Sequence, residues 1–193
     1  MGAMLLGGND TTFVSYQLGL MNGGGLLKFD NNKKKDIVGR VVFHPWDFLY
    51  VGGSFRYGYP SYQNDKDSRT TLGGELKLKY RGFTLLGEYI MDEGDYNRDL
   101  GGGCSGNLIE LGKERSGGYV TLAYMTKWNI EPVFMYDFFD SGNATGYEES
   151  NMTFGVNYFF NDWTRLQVNY VYRAESPVEI PTDEIVVQLQ VKF

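Results

Sequence analysis

From Leu166 to Arg173 the chain alternates apolar and polar residues one by one. Leu166, Val168, Tyr170 and Tyr172 fall on one side, and Gln167, Asn169, Val171 and Arg173 on the other. The C-terminal segment repeats the pattern, setting Ile185, Val187, Leu189, Val191 and Phe193 against Val186, Gln188, Gln190 and Lys192. A period of two sends successive side chains to opposite faces of an extended strand. Segments near 13–22, 35–43, 48–58, 69–80, 83–92, 117–126, 129–139, 150–160, 163–174 and 183–193 follow it, about ten in all. Each is close to the ~9–11 residues with which a tilted strand crosses a bilayer. No helical period and no second domain emerges. Residues 1–193 therefore read as a single β-barrel domain or the C-terminal portion of one.

The connections sort by length. His44-Pro45-Trp46-Asp47, Arg81-Gly82, Lys127-Trp128 and Asn161-Asp162 are short. They alternate with long polar stretches: GGGLLKFDNNKKK, YPSYQNDKDSR, DEGDYNRDLGGGCSGNLIELGKERSG, DSGNATGYEE and ESPVEIPTD. Short turns at one end and long loops at the other are the plan of an up-and-down transmembrane barrel. No stretch approaches the roughly 20 apolar residues of a spanning helix. The mean hydropathy of −0.35 is compatible with a barrel, which turns only alternate residues to lipid. Aromatic residues cluster at both strand ends. Phe43, Trp46, Phe48, Tyr80, Phe83, Trp128, Phe159, Phe160 and Trp163 lie near the short turns, and Tyr57, Tyr59, Tyr89, Tyr136, Phe138 and Tyr172 toward the long loops. Amphipathic rings favour the two lipid–water interfaces.

Composition removes several classes of function. The 18 basic and 24 acidic residues give a net charge of −6, against the basic footprint of a nucleic-acid binder. One Cys (Cys104) permits neither an intrachain disulfide nor a cysteine zinc site, and one His (His44) leaves few parts for hydrolytic catalysis. Gly101-Gly102-Gly103 precedes no helix and is no phosphate cradle. Asp30-Asn31-Asn32 and the acidic run Asp92, Glu93 and Asp95 lack a calcium-loop spacing. No cofactor or metal is expected, and the chain reads as a non-enzyme. The opening MGAMLL lacks the cationic region of a secretion signal, and Met4-Leu5-Leu6 before Gly7-Gly8-Asn9-Asp10 reads as the tail of an earlier strand entering a turn.

If the apolar face meets lipid, the other face lines an interior. It then carries Arg40, Arg56, Arg69, Lys77, Lys79, Arg165, Arg173 and Lys192 against Glu75, Glu88, Glu131 and Asp137. That reads as a net basic wall on an acidic chain. Arg40, Arg56, Lys77, Lys79, Arg165, Arg173 and Lys192 are the candidate pore-lining anion contacts, since confined cations attract anions. Lys33, Lys34 and Lys35 are candidates for the pore mouth, or a solvated run touching acidic lipopolysaccharide. The competing reading is a small structural or adhesion-type outer-membrane barrel that does not conduct, with charges paired across strands.

A family resemblance rests on the order of several short motifs. Gly19-Leu20-Met21-Asn22-Gly23-Gly24-Gly25, Asp30-Asn31-Asn32-Lys33-Lys34-Lys35-Asp36, Gly39-Arg40-Val41 with Pro45, Gly52-Gly53-Ser54 with Tyr57-Gly58, and Gly87-Glu88-Tyr89-Ile90 follow one another. The chain ends on Phe160-Asn161-Asp162-Trp163-Thr164-Arg165-Leu166-Gln167-Val168-Asn169-Tyr170 through Val191-Lys192-Phe193. Over nearly its whole length it resembles the C-terminal portion of the phosphate-selective porin O/P family. The resemblance implies a bacterial outer-membrane porin of about sixteen strands, usually a homotrimer, passing phosphate or related anions. One departure is Met135 before Tyr136-Asp137, where the family often has Arg.

Overall fold

A computed structural model describes residues 2–22, 34–59, 68–94, 111–144 and 146–192. Its elements are all strands: β1 (Gly2–Gly7), β2 (Val14–Asn22), β3 (Lys35–Trp46), β4 (Leu49–Gly58), β5 (Arg69–Tyr80), β6 (Phe83–Gly94), β7 (Glu114–Tyr124), β8 (Ile130–Asp140), β9 (Glu148–Asn161), β10 (Thr164–Ser176) and β11 (Glu184–Val191). They form one 11-stranded sheet in chain order, every pair antiparallel. The eleventh strand is β1, where the sequence predicts only the tail of an earlier strand. It pairs with β2 from Gly2↔Met21 to Gly7↔Tyr16. Strands β1 and β11 do not meet among the described residues, so the sheet is open there.

Short and long connections alternate as the sequence predicts, with two adjustments. His44 and Pro45 belong to β3, where an irregularity between Phe43 and Trp46 absorbs the proline, and the turn itself is Asp47-Phe48. Strands β6 and β7 run further toward the long loops than expected, reaching Gly94 and beginning at Glu114. The Arg81-Gly82 turn has φ of 48° and 85° at its two central residues. Both lie in the left-handed region that a two-residue hairpin requires, and glycine meets that need without strain. Asn129 takes a φ of 60° at the β7–β8 turn, a conformation asparagine tolerates.

The register keeps the two faces in phase across the sheet. Tyr16, Val41, Gly53, Gly74, Tyr89, Gly118, Phe138, Ser150 and Ala174 connect along one face through successive pairs. This face also presents Leu18, Leu72, Phe134, Phe154, Val168 and Leu189, and it is open to its surroundings: Val168 is 41% exposed and Leu189 63%. Trp46, Trp128 and Trp163 are exposed at the short turns. Tyr89 lies midway along β6 rather than near a long loop, with its ring 6.0 Å from that of Phe138. The most buried strand side chains, Asp36, Val42, Asp92, Arg115, Ala123 and Asn157, all fall on the opposite face, as expected of a sheet curling toward its polar side. The cover over the apolar face is therefore not this chain's own core.

Gly82→Val should cost about 1–3 kcal/mol in denaturant unfolding of the micelle-refolded chain, because a β-branched residue would be forced to positive φ. Asn129→Gly should leave the midpoint nearly unchanged. Equal midpoints for the two variants would contradict the turn assignment.

Candidate pore-lining face

Arg40, Arg56, Lys77, Lys79, Arg165, Arg173 and Lys192 share the polar face. Arg40 opposes Ser54, Arg56 opposes Thr71, Lys77 opposes Tyr50, Lys79 opposes Thr84, Arg165 opposes Gln190 and Arg173 opposes Asn151. Lys192 follows β11 in the same alternation, its backbone N–H donating to Trp163 O at 2.8 Å. One hydrogen-bonded row crosses the sheet obliquely, from Gly52 toward the short turn of β4, through Glu75, Glu88, Tyr119 and Asp137, to Asn151 and Arg173 toward the long-loop ends of β9 and β10.

Most of the arginines are not open charges. Arg40 Nε lies 2.6 Å from Glu75 Oε1, and Arg56 Nη2 lies 2.6 Å from Asp36 Oδ2. Arg173 Nη2 lies 2.7 Å from Glu184 Oε1. Gly58 opens the space for the Asp36 carboxylate, which a Cβ there would strike. At the long-loop end, Asp92 gathers Arg69 Nε at 2.7 Å, Thr71 Oγ1 at 2.6 Å and Arg115 Nε at 2.7 Å. Arg115 Nη2 donates to the same carboxylate and, at 3.3 Å, to Gly94 O, while Nη1 donates to Gly112 O. The Arg115 side chain is only 4% exposed.

The cations toward the short turns differ. Lys77 Nζ sits 5.0 Å from the Tyr50 ring centroid. Arg165 Nη2 donates to Gln190 Oε1 at 2.8 Å, an uncharged partner. Lys79 and Lys192 likewise meet no carboxylate within ion-pair distance among the described residues. The arginine forks thus close on carboxylates near the loops and mid-strand, and the lysines stay open near the turns.

The expected net basic wall is corrected by this arrangement. Asp36, Asp92, Glu149, Glu175 and Glu184 join the acidic members of the face, and Arg115 joins the basic ones, leaving the two signs evenly balanced among the described strand residues and Lys192. Arg115, Glu149 and Glu175 lie at strand ends beyond the expected segments, and Asp36, Asp92 and Glu184 at the very ends of segments already read as strands. Of the mouth lysines, Lys33 lies outside the described residues, as does Cys104. Lys34 Nζ sits 5.2 Å from the Tyr59 ring centroid, and Lys35 begins β3 on the side of Ile37, away from the polar face. Just before β9, burial raises the Tyr147 phenol above its ordinary pKa, with the Glu149 charge adding to the effect. His44 is structural, with Nδ1 2.8 Å from Thr12 O and its ring edge-on to Tyr50 at 4.4 Å. No cluster of three or more metal-ligating side chains occurs among the described residues.

The chain matches no family model and no curated protein sequence. A solved structure of similar fold is the anion-selective porin from Comamonas acidovorans, at a TM-score of 0.64 and 12% identity. The match covers 98% of this chain and 54% of that one, so the chain spans about half the porin's length. The likeness establishes the class of fold: an all-β, antiparallel, up-and-down β-barrel of porin type.

Asp92→Asn should destabilise the chain by about 3–5 kcal/mol, because it strands the buried Arg115 guanidinium. Arg40→Gln, at a more exposed pair, should cost about 1 kcal/mol or less. Unfolding midpoints in detergent would rank the two, and the reverse order would refute the assignment of Asp92 as the wall's anchoring carboxylate.

Proposed function

We propose that the chain forms part of the wall of a passive diffusion channel in a bacterial outer membrane, with a preference for small anions such as inorganic phosphate. The observation that carries the anion preference is the set of cations that have no carboxylate partner among the described residues, Lys77, Lys79, Arg165 and Lys192, gathered toward the short turns of one polar face. An anion passing them exchanges hydration for weak, repeated charge contacts and moves on without any bond being made or broken. The exposed apolar face and its short-turn tryptophans suit contact with lipid, and with lipopolysaccharide on the outer side. The porin-type fold supports the channel reading. The resemblance to the phosphate-selective porin O/P family supports the phosphate preference and a homotrimer.

Planar-bilayer recordings across a potassium chloride gradient test the reading. The intact channel should pass chloride better than potassium, and phosphate should compete. Replacing Lys77, Lys79, Arg165 and Lys192 together by Gln should lower the anion-to-cation ratio severalfold. Neutralising the Asp36–Arg56 pair as a double variant should change it little, because that pair contributes no net charge. Cation preference in the unaltered channel would end the anion proposal, and absence of conductance would return the chain to a structural or adhesion role.

A further inference from the structure

The polar face is interrupted by an apolar recess of about 500 Å³ between β6, β7 and β8. Its centre is Gly117, which opposes Ile90 on one side and Phe139 on the other. Having no side chain, Gly117 leaves the space between those two open. Met135 and Leu111 extend the apolar lining. Ile90 is 39% exposed and Phe139 37%, a poor arrangement for a wall in contact with water alone.

The charges around the recess are divided. At the loop end, Arg115 is spent on Asp92 and two backbone carbonyls and is nearly inaccessible. Toward mid-strand, Tyr119 stands between Glu88 and Asp137 in a single hydrogen-bonded row. Glu88 also faces Glu75 directly on β5, a like-charge pair that a further cation would relieve. Arg40 gives its Nε to Glu75. Asp137 accepts a bond from Asn151 Nδ2 at 2.8 Å. Two carboxylates flank one aromatic ring, beside an apolar floor. Glu88 and Asp137 are two strand spacings apart, roughly 10 Å between backbones, so a cation over Tyr119 lies within reach of both.

We propose that this recess binds an organic ammonium with an apolar body, its charge over Tyr119 between Glu88 and Asp137 and its body over Gly117 between Ile90 and Phe139. The volume suits a phenyl-sized group with a short linker. The inference rests on the polar face being wet, as the channel reading requires, and not on anion preference.

The test compares two probes of matched body and opposite charge, 2-phenylethylammonium and 3-phenylpropionate, titrated by calorimetry into the detergent-refolded full chain. The ammonium should bind with a Kd on the order of 1 mM or tighter, and the carboxylate at least ~10-fold more weakly. Glu88→Gln with Asp137→Asn, both isosteric, should weaken the ammonium about 10-fold while the far-ultraviolet spectrum stays that of the parent. Phe139→Ala should weaken it without changing the preference for positive charge. Equal binding of the probes, stronger binding of the carboxylate, or no binding to the folded parent would overturn the proposal. A channel that conducts without binding the ammonium loses this inference alone, whereas a chain that binds it without conducting loses only the channel reading.

Discussion

Register is the constraint on which the rest of this structure depends. Each strand pairs with its chain neighbours, so a slip of one residue in any ladder would carry a whole set of charges onto the apolar side. Short turns hold the phase. Arg81-Gly82 joins Tyr80 to Phe83 in direct pairing, and Asn161 opposes Thr164 across Asp162-Trp163. Because the phase survives every crossing, Arg40 and Arg173 occupy one surface although β3 and β10 are far apart in sequence. No packed interior of the usual kind enforces this. Val42 and Ala123 are the hydrophobic residues that are buried among those described, and both lie on the polar side.

A sheet with so little apolar interior needs another source of stability. The backbone groups are satisfied along ten ladders, and the polar face adds forked ion pairs between strands. The apolar face contributes only when something other than water covers it, which ties stability to surroundings that suit Leu18, Phe154 and Leu189. The exposed tryptophans then have a physical reason to gather at the short turns, since an indole combines an apolar body with a donor that seeks the polar boundary.

Alternation is a local property, and what it determines was legible from the residues alone. The parity of Lys77, Lys79, Arg165 and Arg173 follows from their neighbours, and the structure puts them on one face. The strand ends were not legible. Gly94, Gly112, Gly117 and Gly118 interrupt the pattern around 92–118, so Asp92 and Arg115 read as loop residues although they oppose each other in the β6–β7 ladder. Asp36 lies inside the expected segment 35–43, but beside a lysine run, and its role depends on the space beside Gly58 on β4. Pro45 suggested a turn because proline removes a donor, but an irregular pairing lets β3 continue past it to Trp46. Each of these misses involves a partner on another strand, and Asp36 and Asp92, together with Glu149, Glu175 and Glu184 at other strand ends, account for the overestimated positive charge of the wall.

The division between arginine and lysine then acquires a meaning. A guanidinium fixes two or more donors in a plane and suits a carboxylate neighbour, so Arg56, Arg69, Arg115 and Arg173 serve as cross-strand ties near the long loops. An ammonium on a flexible stem is a poorer tie and a better mobile charge, and Lys77, Lys79 and Lys192 lie at the opposite end. Between these levels run Glu75, Glu88 and Asp137 with Tyr119. At physiological salt, charges are screened over about 8 Å. The strands that carry these groups are 11 to 13 residues long on β5, β6, β7, β8 and β10, or roughly 35–45 Å at about 3.3 Å per residue. On β5, Lys77 follows Glu75 by two residues, about 7 Å, so the lysine level and the carboxylate row overlap there, whereas Arg165 and Arg173 on β10 stand eight residues, about 26 Å, apart. Under the proposed channel reading, a wall whose total charge is balanced still presents open lysines toward the short turns and a row of carboxylates beside Tyr119, so its net charge does not by itself fix its selectivity.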